Sequence, residues 1–386
     1  MYKIGQNIFI SIFIFVSLLS SLSAEENTLN ADDQIFIEFS QYSWKPSVVE
    51  YTINQKNSSL VSGSLWNSIL IPSFEANPLL SIFVPTADTT LYLKSGDANV
   101  NDAQLSFGTY YHVSFDALKH RGKFAVNVRA PNLGTYNYLT NRAQTTYFIG
   151  TPIALQSNGL YMLDPLKVYR AEIISSHEFY FFSDHANKYL QGLGITFALN
   201  SYTDQIDKNS YLGILSNNSS VSTTDSTGAT TSLALSGTDY EVGKLTQSIY
   251  VVHSYLGFIY RYAINAKQEL DFSYNHIVGK GQASSKEKYT YFNSFLFQLL
   301  PLLGYSSTSR KTESDLDVNG SVFALGYTYK FQNDYSIRIS YLSQTINLSA
   351  TRSKTKSNNI PINEFGSLPT ATDKTSQVGI EFQIKY

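Results

Sequence analysis

From residue 377 onward the chain alternates without a break. Val378, Ile380, Phe382, Ile384 and Tyr386 share one face, and Gln377, Gly379, Glu381, Gln383 and Lys385 share the other. Strict period two predicts a β-strand with one apolar and one polar face, and about ten residues let a tilted strand cross a bilayer's hydrocarbon. Residues 335–347 set Tyr335, Ile337, Ile339 and Tyr341 against Ser336, Arg338 and Ser340. Residues 321–331 set Phe323, Leu325, Tyr327, Tyr329 and Phe331 against Val322, Ala324, Gly326, Thr328 and Lys330. Gln332, Asn333 and Asp334 between them read as a hairpin turn. The unit recurs in 248–262 with 270–275, in 168–183 with 189–202, and in 104–116 with 124–129. Alternation over 168–183 is imperfect, as a β-bulge would make it. Gly192 and Gly194, on the polar face of 189–202, would relieve crowding or allow curvature.

The connections are sided. Those at 117–122, 184–188, 263–268 and 332–334 are short and fall at one end. Those at 131–167, 203–247, 279–320 and 348–375 are long, rich in Ser, Thr, Asn, Asp and Gly, and fall at the other. Residues 34–44, with Ile35, Ile37 and Phe39 opposing Phe36, Glu38 and Ser40, predict the first strand. The stretch 46–100 has room for one more hairpin, Val48 to Ile53 followed by Leu60 to Ile71. The pattern therefore predicts about twelve strands, with ten and fourteen the adjacent even numbers. A soluble β-sandwich also alternates, but it has no need of long strands and sided loops together.

The final strand resembles the C-terminal strand of bacterial outer-membrane β-barrels, which typically ends in Phe; here Tyr386 keeps the aromatic ring. The resemblance implies an all-β, up-and-down antiparallel transmembrane barrel with short periplasmic turns and long extracellular loops. It also implies that Val378, Ile380, Phe382, Ile384 and Tyr386 form the signal read by the barrel-assembly machinery. Residues 1–24 read as a signal peptide, with Lys3, an apolar run from Ile8 to Leu19, and small residues from Ser21 to Ala24. That run is too short for a membrane-spanning helix. Residues 25–386 are then expected to be a single barrel domain in the bacterial outer membrane.

Composition agrees. Charged residues are 15% and aromatics 14%, with 29 Tyr and 24 Phe; Tyr and Phe suit strands and the aromatic girdles of membrane barrels. The absence of cysteine excludes disulfides, thiolate metal sites and a lipid carried on Cys. A net charge of −2 gives no global field that would favour nucleic acid.

The polar faces carry His112, Lys123, Arg129, His253, Arg261, Asp271, Lys330, Arg338 and Glu381, which in a barrel line the lumen. They could be charged rings tuning a water-filled pore, or ion pairs plugging a narrow one. No enzyme and no cofactor is expected. His112-Val113-Ser114 is similar to the His/Ser placement in outer-membrane phospholipase A. That family, however, continues with an Asn-Gly segment, and this chain continues Phe115, Asp116, Ala117, Leu118. On a strand His112 and Ser114 also stand about 7 Å apart. Asp184-His185 falls on an expected periplasmic turn, whereas the omptin proteases cleave outside. No phosphate-binding loop or zinc motif is present. Phe292, Phe295, Leu296, Phe297, Leu299 and Leu300 form an apolar cluster in the connection 279–320. It could bind apolar ligands, as the long loops of FadL-type transporters do, dip into the outer leaflet, or form a further strand. The leading expectation is a porin-like channel passing small solutes. The alternatives are a surface-exposed binding or adhesion protein displaying long loops to host or surface ligands, and a FadL-like transporter of hydrophobic compounds. Expected partners also include outer-membrane lipid; nucleic acid is not among them.

Overall fold

A computed structural model describes residues 33–58, 83–94, 98–115, 118–148, 151–183, 185–224, 230–292, 305–332, 334–358, 360–362 and 368–385. The expected signal peptide, the strand at 60–71, the cluster residues Phe295 to Leu300, and Tyr386 lie outside them. In chain order the elements are β1 (Gln34–Lys45), α1 (Ser47–Ser58), β2 (Phe83–Lys94), β3 (Val100–Phe115), β4 (Leu118–Arg129), β5 (Tyr136–Phe148), β6 (Thr151–Leu163) and β7 (Val168–Tyr180). Then follow α2 (Lys188–Gln191), β8 (Leu193–Thr224), β9 (Thr230–Asn265), β10 (Gln268–Phe292), β11 (Tyr305–Gln332), β12 (Tyr335–Ser357), β13 (Ile360–Ile362) and β14 (Thr370–Lys385).

Ten strands close into an antiparallel ring: β1, β14, β12, β11, β10, β9, β8, β7, β4, β3 and back to β1. They are the ten whose alternation is legible in the sequence. The seam pairs Ile37 with Phe382 and Phe39 with Ile380, so no backbone edge is left unpaired at the depth of the hydrocarbon. The outward side chains Ile37, Phe39, Phe107, Phe197, Leu256, Phe258, Leu325, Ile339, Ile380 and Phe382 are exposed, Leu256 to 62% and Phe39 to 59%. A belt of large apolar groups at this exposure is stable against lipid tails and costly against water. This is the architecture of bacterial outer-membrane β-barrels.

Above the belt the structure departs from expectation. The connections 203–247 and 279–320 are for the most part continuations of the strands: β8 has 32 residues, β9 36, β10 25 and β11 28. A tilted crossing takes only about ten, so the sheet rises well beyond the belt. The connection 131–167 supplies the hairpin β5–β6. It docks on upper β8 from Ile153↔Val221 to Leu163↔Tyr211, and β2 adds to its far edge. The short β13 pairs with the top of β12.

Two local assignments are corrected. Val48 to Ile53, read as a strand, lies in α1. The β-branched run misleads because the helix is wrapped by protein: Val48, Val49, Tyr51, Thr52 and Ile53 are all buried, and the apolar pattern then has no solvent side to reveal its period. Ser47 N–H donates to the Asp373 carboxylate at 3.2 Å, which satisfies the start of the helix. Residues 188–191 form one turn of helix capped by Asn187, and β8 begins at Leu193. A side chain at Gly192 would collide with the Arg261 carbonyl, so glycine lets β9 approach there. The register of β7 shows no bulge on either side. Its alternation fails because Ser175 and His177 face outward, where His177 Nδ1 lies 3.1 Å from His120 Nε2 and 3.3 Å from the Tyr111 hydroxyl.

Candidate functional site: the barrel interior

The inward residues form layers. Nearest the short turns, Lys123 Nζ lies 3.3 Å from the Glu381 carboxylate, which also accepts from the Tyr110 hydroxyl at 3.0 Å. Arg338 meets Asp271 at 2.5 Å, and Arg261 meets Glu178 at 2.9 Å and Glu269 at 3.0 Å. Gly326 is opposite Asp271 in register, and a Cβ there would collide with the Arg338 guanidinium. The missing side chain lets the ion pair pass over β11 from β10 to β12.

The middle layer is a hydrogen-bonded mesh. Arg129 donates to Gln104, to Thr375 Oγ1 at 3.2 Å and to Gln377 Oε1 at 3.2 Å. Glu172 accepts from Asn127 at 3.0 Å and Asn200 at 2.6 Å. Tyr255 accepts from Asn200 and from Gln344, the latter at 2.8 Å.

Arg170 ties the next layer together. It donates two bonds to Asp204, both 2.6 Å, and two to Asp373, at 3.1 and 2.7 Å. Trp44 Nε1 donates to the same Asp373 carboxylate at 3.0 Å. The guanidinium lies 4.6 Å from the Trp44 ring centroid and 4.2 Å from that of Tyr202. Arg170, Asp204 and Asp373 are buried. The forked geometry of Arg suits two carboxylates at once. Over this layer lies α1, packed with Tyr136, Tyr138, Leu163, Leu166, Ile206 and Leu245 around a pocket too small for an organic solute. Higher still, the Tyr161 and Tyr211 hydroxyls donate to the Glu241 carboxylate at 2.7 and 2.8 Å.

Of the residues expected to line the lumen, Lys123, Arg129, Arg261, Asp271, Arg338 and Glu381 lie in these paired layers. His253 is buried between Tyr202 and Tyr255, its ring nitrogens without a hydrogen-bond partner among the described residues. His112 sits near the short-turn end, where its backbone N–H donates to Asp33 at 2.8 Å. Lys330 is exposed at the rim. Val378, Ile380, Phe382 and Ile384 face outward on β14. Phe292 ends β10. The side chain of Ser114 and all of Asp184 fall outside the described residues, and His185 Nδ1 accepts from the Asn187 N–H in the turn before α2. Among the described residues no group of three His, Cys, Asp or Glu side chains could hold a metal ion. Sequence reasoning missed Asp204 and Asp373 because both fell in stretches taken for loops. Arg170 and Glu172 were open to it, since both occupy even positions of a strand whose odd positions face out.

No protein-family model and no curated protein matches the chain. Among solved structures it is similar to the outer membrane protease OmpT from Escherichia coli, at 9% identity and a TM-score of 0.41, over 94% of this chain and 99% of that one. It is also similar to the Pseudomonas putida toluene transporter TodX, at 7% identity and a TM-score of 0.21, over 92% of this chain and 90% of that one. The Ralstonia pickettii toluene transporter TbuX gives 7% identity and a TM-score of 0.21, over 92% and 89%. No residue role is carried across from any of them.

Proposed function

We propose that the protein is a surface-exposed binding protein of the bacterial outer membrane, in which a closed barrel anchors and stiffens a tall extracellular sheet. The observation that carries this reading is the Arg170–Asp204–Asp373–Trp44 layer lying beneath α1. A porin-like pore needs a continuous water-filled bore, and charged rings only tune which ions pass. Here the buried cations of the bore are held by carboxylates or amide oxygens within the wall. Strands of 25 to 36 residues, more than twice a membrane crossing, favour the same reading, because their upper parts serve no purpose in the bilayer. Planar-bilayer recording of the refolded full chain tests it. The expected outcome is no sustained single-channel current from folded protein. Discrete, reproducible steps with ion selectivity would overturn the closed-barrel reading in favour of a solute channel.

A further inference from the structure

The outer wall of the upper sheet carries an arrangement that folding alone does not favour. In register across three neighbouring strands, Lys286 of β10 is opposite Lys311 of β11, which is opposite Lys356 of β12. All three are exposed. Neighbouring strands lie about 4.8 Å apart, and like charges directly opposite one another destabilise a sheet. In the rows on either side, Lys288 is opposite Lys244 of β9, and Lys354 is opposite Glu313. Arg352 and Asp315 form the next pair along. Glu313 sits 2.5 Å from Lys311 Nζ; that hydrogen bond, helped by the fields of Lys356 and Lys354, holds its carboxyl below the usual range. Even so, cations outnumber carboxylates on this face in a chain whose net charge is −2. The excess is therefore local to one wall.

We propose that this face binds a linear sulfated glycan. A ladder of lysines at strand spacing presents point charges in a row, to which sulfate oxygens of successive saccharide units can align. Uncharged positions of the same rows include Thr246, Ser248, Ser284 and Ser309, short hydrogen-bonding groups suited to sugar hydroxyls. No aromatic ring stands in the three rows that carry the lysines, so nucleobases would find no stacking platform there. The wall stands above the apolar belt: Lys286 follows the last exposed belt residue of β10, Val278, by eight positions, about 26 Å along the strand. The inference deepens the surface-binding reading and rests on it for the side of the membrane the wall faces.

The test uses the full chain in detergent, with a heparin-derived hexasaccharide, its desulfated form and a single-stranded DNA oligonucleotide of equal charge as probes. Binding of the sulfated hexasaccharide is expected, weakening as salt rises, with little binding of the other two. The variant Lys286→Gln/Lys311→Gln/Lys356→Gln should lose at least about tenfold in affinity, and its log–log salt slope should fall by about two to three. Glu313→Gln should bind more tightly than the parent. All these positions are exposed, and an unchanged circular dichroism melt verifies the fold of each variant. No hexasaccharide binding, an unchanged triple variant, or equal binding of DNA would each overturn the proposal. Channel currents would remove the closed-barrel reading and leave this result standing; failed glycan binding in a non-conducting barrel would remove only this inference.

Discussion

Arg170 illustrates how much the interior depends on single residues. Truncating it to Ala leaves Asp204 and Asp373 facing each other in a buried layer. Breaking a buried pair of this kind costs about 3–5 kcal/mol, because an uncompensated charge remains inside. The expected outcome for Arg170→Ala is a fall of that size in unfolding free energy, measured by urea titration in detergent. The triple replacement Arg170→Met/Asp204→Leu/Asp373→Asn should recover most of the loss, since no unpaired charge remains and the Asn amide oxygen can still accept from Trp44 and Ser47. If Arg170→Ala unfolds at the same urea concentration as the parent, Arg170 does not tie the layer together. Gly326 makes a second case. Gly326→Val should push Arg338 away from Asp271 and cost about 2–4 kcal/mol. These residues also mark the limit of sequence reasoning at this scale. Alternation told which side chains face inward, including Arg261, Asp271, Arg338 and Glu381. It could not tell that the inward charges meet across the bore, because the partners lie on strands far apart in sequence: Lys123 with Glu381, and Arg170 with Asp373.

At the scale of elements, legibility followed the solvent on each side. The ten ring strands could be read because lipid faces one side and polar side chains the other, so period two is enforced. The upper halves of β8 to β12 have water outside and a mixed interior, so Ser, Thr and Asn occupy both faces and the same stretches read as loops. The helix α1 was misread for the opposite reason, being buried all round. Its position over the Arg170 layer leads to a test. Val49→Asp/Ile53→Asp places carboxylates among Tyr136, Leu163 and Ile206 and should dislodge the helix. Limited proteolysis of intact protein in liposomes should then cut within 47–58 at least about tenfold faster, while the ring strands remain protected. Equal protection in parent and variant would show that α1 is not held by that packing.

For the whole molecule, the number of strands in the ring decides the function that is open to it. The expected range ran from ten to fourteen, and the ring closes at ten, with β2, β5, β6 and β13 spent on the superstructure. Rings of sixteen strands or more leave an aqueous channel. This smaller ring can be shut by the Arg, Glu and Tyr side chains that its own strands provide.

The seam between β1 and β14 has a consequence for biogenesis. Gln34 pairs with Lys385 and Lys45 with Lys374, so the first and last strands of the ring are next-door neighbours. Every other ring contact joins strands closer together in sequence, whereas this one joins the first strand of the ring to the last and carries the largest loop-closure cost. Until it does, two bare strand edges wait to pair with whatever strand is nearest. A product truncated before residue 370 is therefore expected to keep an open seam and to aggregate strongly.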